Sequence, residues 1–551
     1  MTTGTTLLTG GRIYAPRTGS ASSAEGGDHL LEPPTSSAGG DHPLLEPSMS
    51  DSAATAMVVH GDRIVFVGGD DEAGRLAGDV DEHVTLAGAL VTPAFVDAHV
   101  HTTSTGLALT GLDLTEQTSL ASVLAAVESY TKMHRGGAVV GHGWDETRWP
   151  ERRPPTREEL DRASYGGVVY LSRIDVHSAV VSSALLAAAP EIRSKPGFAA
   201  SGHISRDAHH VARRLIREAL TPGQRRAAHH ATLRRAAELG IGAIHELAGP
   251  DISGEEDLRS LCASAEEAGY PEVIPYWGEL GGVERARELG AVGAAGDLFA
   301  DGAIGSRTAC LRTVYADADT SGFGYLTAAD VRNHVVACTH AGMQAGFHAI
   351  GDGAMETVMH GFQEAAERVG PAAMRNLRHR IEHAEMIEAW MIDAMASLGV
   401  YASVQPAFDR LWGGAAGMYA MRLGSDRALR LNPFAAMGVA GVPLAFGSDS
   451  PVTPLDPWGT VRAAVRHHVP AQRLTAAGAF AAHTVGGWAA ARRDGEGALE
   501  PAAPATYAVW QYDGPVEPGG LPDVSADAEL PTCLRTVVRG RTLYEREGAF
   551  T

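Results

Sequence analysis

The chain has 551 residues, of which 44% are hydrophobic and 20% charged, a composition typical of globular proteins with a large core. This length is too great for one compact core and predicts a large domain with an accessory domain. The 66 acidic residues outnumber the 45 Lys and Arg residues and give a formal charge of −21. Because such a surface repels phosphate backbones and anionic lipid, nucleic acids and membranes are poor partners.

The N-terminal segment MTTGTTLLTGGRIY lacks the basic start and the sustained apolar run of a secretory signal peptide. No uninterrupted apolar stretch is long enough to span a bilayer. The four cysteines lie far apart and form no CxxC pair, which is typical of reduced thiols rather than of a disulfide framework. They are Cys262, Cys310, Cys338 and Cys533. We therefore expect a cytoplasmic protein.

Both ends of the chain contain short strand-like segments. Residues 5–15 (TTLLTGGRIYA) read as one strand, and residues 56–69 (AMVVHGDRIVFVGG) predict a hairpin that turns at Gly61-Asp62. The C-terminal segments 505–512 and 534–544 have the same character. We expect residues 1–92 and 490–551 to form one small β-domain closed by the two termini.

Residues 16–52 separate the first of these strands from the hairpin and are rich in Gly, Ser and Pro. They contain an altered repeat, SSAEGGDHLLEPP from Ser22 and SSAGGDHPLLEPS from Ser36. Because the repeat has neither helical nor strand periodicity, we predict a disordered loop and do not count its two histidines as ligands.

Between residues 93 and 489, apolar strand-like runs alternate with Ala- and Arg-rich helical segments. This alternation predicts an α/β fold with a parallel sheet, and its length suits a (β/α)8 TIM barrel. Residues 107–235 hold two further strand-like pieces and several helices, and we interpret them as an insertion after the first barrel strand that covers the mouth of the site. The eight candidate barrel strands end in the segments 95–101, 242–246, 273–280, 297–302, 344–352, 380–385, 400–406 and 443–449.

The helical segment 206–235 is rich in arginine, a pattern that can indicate nucleic-acid binding. Given the acidic net charge, we favour a solvated helix face beside acidic neighbours. The arginines are Arg213, Arg214, Arg217, Arg225, Arg226, Arg234 and Arg235.

Asp97, His99 and His101 alternate along the first barrel strand. Residues two apart on a strand point to the same face, so the three side chains are expected to project together, at the strand end where a parallel barrel holds its active site. Two neutral imidazoles on one face suit zinc or a similar divalent ion. An isolated HxH motif is weakly specific.

The prediction of a metal site is strengthened because potential ligands also end the apolar runs of later strands. His348, His383 and Asp449 each end an apolar run, in the segments GFHAIGD, RIEHAE and LAFGSDSP. Together with the HxH pair they give five candidate ligands at C-terminal strand ends, and this convergence predicts a metal centre. Asp449 could alternatively cap a helix after Gly447-Ser448.

In this order, these motifs resemble the metal-dependent amidohydrolase superfamily, and most closely its YtcJ-like branch, which includes N-substituted formamide deformylases. The resemblance covers nearly all of residues 56–500. It implies a metal-bearing (β/α)8 barrel, a small β-sandwich formed from both termini, and hydrolysis of carbon–nitrogen or related bonds. The supporting segments are HGWDETRWPERRPPTREELD (142–161), LSRIDVHSAVVSSALL (171–186) and FADGAIGSRTACL (299–311).

The resemblance also assigns ligands. His99, His101 and Asp449 would bind the deeper of two metal ions. His348 and His383 would bind the second ion, or orient substrate if only one ion is present. The implied cofactor is a divalent metal, zinc, as one or two ions.

One position departs from the pattern of the family. Many relatives have a lysine two residues before the Phe-Ala-Asp-Gly segment, carbamylated so that it bridges two metals, and this chain has Asp297 there. A short carboxylate can bridge two ions only if its strand lies closer to them. We expect Asp297 to lie near the metals, and the number of ions stays open.

A bound divalent ion lowers the pKa of water to about 7. Asp449 can then accept the proton of the attacking water and pass it to the leaving nitrogen. We therefore predict hydrolysis of a non-peptide amide, N-acyl or N-formyl, in a small-molecule substrate, with Asp449 as the catalytic residue. A deaminase with the same chemistry and a metal-free barrel used as a binding scaffold are the alternatives, and a homo-oligomer is left open.

Five residues are weaker candidates for substrate binding: Arg307, Trp144, Asp145, Arg173 and His177. Arg307 could hold a substrate carboxylate or oxyanion, or could pair with Asp301. The resemblance makes Arg173 and His177 pocket residues. The chain has no GxSxG elbow, no GxxxxGK[ST] loop and no Rossmann glycine fingerprint, which argues against serine hydrolysis and nucleotide binding.

Overall fold

The computed structural model describes residues 4–15, 54–134, 136–266, 269–517 and 520–550. The repeat-containing segment predicted to be a loop at 16–52 lies outside the described residues. Within these ranges no helix is long and apolar enough to cross a membrane. All four cysteines are described, and none is in a disulfide.

Six strands and one helix precede the barrel. Residues 5–15 form two strands rather than the predicted one, because the chain turns at Gly10 with a φ of +71°. Residues 56–69 form the predicted antiparallel hairpin. The elements are β1 (Thr5–Thr9), β2 (Arg12–Ile13), β3 (Ala56–His60), β4 (Arg63–Gly68), α1 (Asp70–Leu76), β5 (Glu82–Thr85) and β6 (Leu90–Pro93).

The first barrel strand is followed by an inserted α/β unit with its own sheet, as predicted. In chain order the elements are β7 (Phe95–Val100), α2 (Thr102–Thr110), β8 (Leu112–Asp113), α3 (Leu120–Met133), β9 (Val139–Trp144), α4 (Arg157–Ala163), β10 (Val169–Arg173), β11 (Ser178–Val181), α5 (Ser183–Ala188), β12 (His203–Ser205), α6 (Arg206–Ala219) and α7 (Pro222–Glu238). The inserted sheet has the order β12-β11-β10-β9-β8, in which β10 is parallel to β9 and antiparallel to β11.

The remaining barrel strands alternate with helices. They are β13 (Ile241–Ala248), α8 (Glu255–Ala265), β14 (Glu272–Trp277), α9 (Val283–Glu288), β15 (Gly293–Ala294), α10 (Ala328–His340), β16 (Gln344–Ala349), α11 (Asp352–Val369), α12 (Pro371–Leu377), β17 (Arg380–His383), α13 (Ala389–Leu398), β18 (Tyr401–Val404), α14 (Pro406–Trp412), α15 (Met418–Leu423), α16 (Ser425–Ala428), α17 (Phe434–Val439), β19 (Leu444–Phe446), α18 (Pro457–Val465), α19 (Ala476–Ala482) and α20 (Val485–Ala490). The eight parallel strands run in the order β7-β13-β14-β15-β16-β17-β18-β19. The ring closes where the backbone amide of Asp449 donates to the carbonyl of His99 at 2.8 Å.

The fourth barrel strand was wrongly predicted at 297–302. β15 is confined to Gly293–Ala294, and pairing with β16 resumes only at Phe299, opposite His348. Residues 295–298 therefore bulge opposite residues 346–347. Gly296 lies in this bulge with a φ of +102°, a conformation that glycine adopts without strain. Bulges beside active sites change the direction in which a side chain points, and this bulge contains Asp297.

The chain ends in β20 (Tyr507–Gln511), β21 (Thr532–Val538) and β22 (Arg541–Glu545). One sheet has the order β4-β3-β1-β5, and a second has the order β2-β6-β20-β21-β22. Leu8 and Met57 from the first sheet pack with Val91, Val509 and Val537 from the second in one buried cluster. This is the predicted β-sandwich made from both termini, while the domain boundaries at 92 and 490 stay predictions.

Candidate metal centre

Six side chains that are far apart in the sequence converge at the C-terminal end of the barrel. They are His99, His101, Asp297, His348, His383 and Asp449, all buried. The Asp297 carboxylate lies within 3.7 Å of a ring nitrogen of each of the four histidines. Asp449 Oδ1 lies 3.3 Å from Nε2 of His99 and 3.2 Å from Nε2 of His101. The sequence-based expectation that Asp297 lies near the other candidate ligands agrees with this placement.

The chemistry of these donors fits a divalent cation. Ligands held at zinc distance in a tetrahedron are about 3.4 Å apart. Asp297 Oδ1 lies 3.5, 3.6 and 3.7 Å from the facing nitrogens of His99, His348 and His383. None of these four buried atoms has a hydrogen-bond partner among the described residues. Since buried polar atoms are normally satisfied, a cation is the partner that imidazole nitrogen and carboxylate oxygen would both accept.

Two of the six residues have strained backbones. His383 ends β17 with a φ of +71°, and Asp449 follows β19 with a φ of +54°. Non-glycine residues rarely adopt this left-handed conformation, and those that do cluster at functional sites. Asp449 does not cap a helix, because α18 begins later and is capped by Asp456. The alternative interpretation of Asp449 as a helix cap was therefore wrong.

Asp97 does not join the cluster, contrary to the expectation that the three alternating side chains project together. Its Oδ1 accepts hydrogen bonds from the backbone amides of Ser448 at 2.8 Å and of His99 at 3.3 Å. Burial raises the pKa of Asp97 to about 6. The residue thus ties the first barrel strand to the segment after the last one, next to the candidate ligands His99 and Asp449.

The sequence analysis missed the groups that orient the histidines. Nδ1 of His99 donates to Glu382 Oε2 at 3.0 Å, and Arg380 Nη2 donates to the same oxygen at 2.9 Å. Nδ1 of His383 donates to Gln405 Oε1 at 2.8 Å. Such outer partners fix the tautomer, leaving Nε2 free for a metal. The sequence did contain a signal for these groups: Arg380 and Glu382 are oppositely charged and two residues apart in the buried strand segment RIEH.

Charge within the cluster shifts the protonation of its members. Burial lowers the pKa of His101, but Asp297 and Asp449 outweigh it and raise the value to about 9. The pKa of His99 is likewise raised well above its usual value by these carboxylates despite burial. Burial raises the pKa of Asp297, yet the neighbouring histidines hold it well below its ordinary range. When no cation is bound, the carboxylates therefore favour the protonated forms of His99 and His101.

A cavity of about 120 Å³ lies between the barrel mouth and the inserted unit. The inserted unit contributes Leu107, Val140 and Tyr170 to its walls, which agrees with the expectation that the insertion covers the site. Of the five predicted substrate-binding residues, His177 lines this cavity, with its ring 5.1 Å from that of His348.

The structure does not bring the other four to the cavity. Arg307 forms a two-bond ion pair with Asp317, at 3.0 and 2.7 Å, rather than either of the two predicted alternatives, substrate binding at the cavity or a pair with Asp301. Asp301 instead accepts backbone hydrogen bonds from Cys310, Ile350 and Gly351. Trp144 is buried, and its indole N–H donates to a backbone carbonyl. Asp145 and Arg173 are buried and pair with each other at 3.0 Å.

A closed parallel barrel with histidines and carboxylates gathered at its strand ends defines the class of metal-dependent hydrolases. The sequence model of the amidohydrolase family matches residues 82–544, so the chain belongs to that family. It is accordingly a hydrolase that depends on a divalent metal ion.

Three known proteins illustrate what this chain is similar to. YtcJ of Bacillus subtilis (strain 168) is 29% identical over 412 residues, 70% of this chain and 74% of that protein. The N-substituted formamide deformylase of Arthrobacter pascens is 26% identical over 538 residues, 90% of this chain and 96% of that protein. The crystal structure of an uncharacterized metal-dependent hydrolase from Pyrococcus furiosus superposes with a TM-score of 0.67 at 26% identity, covering 92% of this chain and 98% of the other.

Proposed function

We propose that this hydrolase cleaves a non-peptide carbon–nitrogen bond in an N-formyl or other small N-acyl compound, with zinc as its metal. The observation that carries the proposal is the set of unsatisfied, buried imidazole nitrogens that face the Asp297 carboxylate. The likeness to an N-substituted formamide deformylase over 90% of the chain supports the type of bond.

The six side chains divide into two overlapping sets. His99, His101 and Asp449 would hold the deeper ion, and His348 and His383 would hold a second. Asp297 is close enough to both sets to contribute a carboxylate to either, at the position where many relatives have a lysine, because the bulge at Gly296 brings a short side chain into the cluster.

When bound, the ion supplies a Lewis acid that polarises the scissile carbonyl and makes water acidic near neutral pH. Asp449 is the proton carrier: its carboxylate accepts a proton from the attacking water and donates it to the leaving nitrogen. Asp449 lines both cavities that meet at the site, where it would face the reacting atoms. Gln405 holds the ring of His383 at Nδ1 and so keeps Nε2 directed at the same point.

The space around the site favours a small acyl group. A second cavity, of about 20 Å³, is lined by Phe408, Trp412 and Tyr419 and shares His383 and Asp449 with the larger one. A cavity of 10–15 Å³ by this measure holds about one water, so about 20 Å³ accommodates a formyl group more readily than a longer acyl chain. The larger cavity would hold the amine portion.

Metal analysis followed by a substrate series tests the proposal. The purified protein should contain zinc, lose activity on treatment with a chelator and regain it with added zinc. The formamide, acetamide and butyramide of one amine should be hydrolysed in that order of decreasing kcat/KM, with release of the acid and the free amine. Zinc-loaded protein that hydrolyses none of them would overturn the proposal, release of ammonia from an amidine would favour the deaminase alternative, and a metal-free protein would favour the scaffold.

A further inference from the structure

Arg213 lies on the side of α6 that faces the larger cavity, and its charge is unpaired. Its guanidinium makes no hydrogen bond or ion pair with any residue in the described ranges, and its Nε is buried without a partner. The contact it does make is with the face of the Phe299 ring, 6.0 Å from the ring centre. The arginine-rich segment 206–235 thus turns at least this cation inward, not to solvent as expected.

Arg217, one helical turn further along α6, lines the same cavity. Its Nη1 donates to the carbonyl of Pro250 at 2.9 Å, and no described carboxylate lies within ion-pairing distance of it. Burial lowers the pKa of Arg217, and the nearby positive charge of Arg213 lowers that pKa further. Two like charges therefore face one cavity.

The carboxylates that line the cavity already pair with other groups of the protein and so do not neutralise Arg213. Asp257 accepts from Thr103 at 2.7 Å and contacts His229 at 3.0 Å, and Glu246 accepts from the backbone amide of Thr102 at 2.8 Å. The aspartates of the metal centre face its histidines. By contrast, Arg214, the neighbour of Arg213 in sequence, points to the surface and pairs with Asp251 at 3.0 Å.

Partly buried cations without counterions are costly, and this protein supplies none for Arg213 from the residues described. A guanidinium presents a planar fork of donors that matches a carboxylate in two parallel hydrogen bonds. The missing counterion is best supplied by the molecule that fills the cavity.

We propose that the substrate carries a carboxylate bound by Arg213 and Arg217, so that the compound hydrolysed is an N-acylated amino acid rather than a neutral amide. This rests on the proposed amide hydrolysis. Phe299 packs against both Arg213 and His348, with its ring 5.1 Å from that of His348. The carboxylate is therefore separated from the scissile amide by about the width of an aromatic ring, as in a derivative of an ω-amino acid.

The reaction is balanced by water alone. Water adds to the acyl carbon, the carbon–nitrogen bond breaks, and the leaving nitrogen takes a proton. The products are a small carboxylic acid and a free amino acid, and no oxidant or reductant is needed.

Matched substrates and variants test the proposal with the zinc-loaded full chain. N-formyl derivatives of glycine, 4-aminobutyrate and 6-aminohexanoate are each compared with the corresponding neutral carboxamide. We expect at least one of the longer acids to exceed its carboxamide at least tenfold in kcat/KM. Arg213→Gln should remove that preference mainly through KM, while Arg214→Gln, the surface control, should leave it unchanged. Equal rates for every acid and its carboxamide, or an equal effect of Arg213→Gln on both, would overturn the subsite.

A binding measurement separates this proposal from the proposed function. Calorimetric titration with hexanoate and with hexanamide needs no turnover, and we expect hexanoate to bind at least tenfold more tightly, with the difference lost in Arg213→Gln. Carboxylate binding without hydrolysis of any amide would support the subsite and overturn the hydrolysis. Hydrolysis of the amides without any preference for a carboxylate would support the proposed function and overturn the subsite.

Discussion

Nδ1 of His99 donates a hydrogen bond of 3.0 Å to the carboxylate of Glu382, and both side chains are fully buried. Burial raises the pKa of Glu382, but the charge of Arg380 outweighs it and lowers that pKa to about 2, so Glu382 stays ionised. Because Nδ1 is engaged as a donor to Glu382, Nε2 is the nitrogen of His99 that faces the cluster and would bind a metal ion. Glu382 is thus a positioning residue for a proposed ligand on another strand.

Glu382→Gln should weaken zinc binding about 10- to 100-fold, because the amide keeps an acceptor but loses the charge that raises the basicity of His99. Zinc affinity can be measured by competition with a chromogenic chelator. The change also leaves Arg380 buried without its counterion, which would cost about 3–5 kcal/mol. Affinity is therefore measured well below the unfolding temperature of the variant. Glu388→Gln, at an exposed pair with Arg312, is the control, and equal affinity in both variants would contradict the role of Glu382.

The barrel and five members of the cluster could be predicted because these five candidate ligands stand at the ends of apolar runs, whereas Asp297 was found through the resemblance to the family. In a parallel barrel all such ends meet at one rim, so residues as distant as His99 and Asp449 become neighbours without any contact being known. Glu382 and Arg380 could not be found in this way. Charges inside a strand are usually assigned to the solvent, and only the structure reveals that each satisfies the other in the barrel interior.

The sequence-based predictions that failed have a common physical cause. The hydrophobic periodicity of a segment does not reveal whether solvent, a cavity or another part of the protein covers a given face of it. The pattern of α6 identifies Arg213 and Arg217 as polar positions but cannot tell a cavity from bulk water. The position of β15 was missed because a strand of two residues followed by a bulge has no periodicity to detect. Arg173 was placed in the pocket by resemblance, but it pairs with Asp175, two residues further on, and with Asp145 and Glu146, whose proximity across 27 residues the sequence pattern does not show.

Gly296→Ala should displace Asp297 and lower the amount of zinc bound per chain. An added Cβ would lie 2.8 Å from a methyl carbon of Leu247, in a backbone conformation already unfavourable for alanine. Gly290→Ala is the matched control, since Gly290 has a φ of +73° but no atom within 4 Å of the added carbon. Both variants should lose about 1–2 kcal/mol of stability from the left-handed backbone. Metal analysis that finds the full zinc content in Gly296→Ala would argue against Asp297 as a ligand.

Asp449→Asn should lower kcat by about 10²- to 10⁴-fold, because asparagine cannot accept and return the proton. The assay is run with excess zinc, so that weaker metal binding does not limit the rate, and circular dichroism checks the fold. Asp456→Asn is the control: Asp456 lies in the same loop and caps α18, where asparagine caps about as well. Substantial turnover by zinc-loaded Asp449→Asn would rule out its assignment as the proton carrier.

Glu146→Gln should destabilise the inserted unit and change how stability depends on pH. Arg173 contacts Asp145, Glu146 and Asp175 at 3.0, 2.9 and 2.8 Å in a buried network. Burial raises the pKa of Glu146, but its arginine partners lower it from 4.5 to about 2. A lowered pKa stabilises the fold above pH 4.5, and this contribution is lost as the pH falls towards 2.

Glu146 also pairs with buried Arg422, which keeps Asp317 as a second partner, while Arg173 keeps Asp145 and Asp175. Removing the Glu146 charge therefore weakens two buried ion pairs without leaving either arginine unpaired, and the free energy of unfolding at pH 7 should fall by about 1–3 kcal/mol. The variant should also show a shallower loss of stability between pH 4.5 and 2, because the group that titrates there is gone. Urea unfolding across this pH range measures both effects. Glu158→Gln is the control: its pair with Arg157 is on the surface, where water screens the two charges, so the change should leave the stability almost unaltered. If Glu146→Gln retains the wild-type slope, folding does not lower the pKa of Glu146 and the proposed pH dependence is wrong.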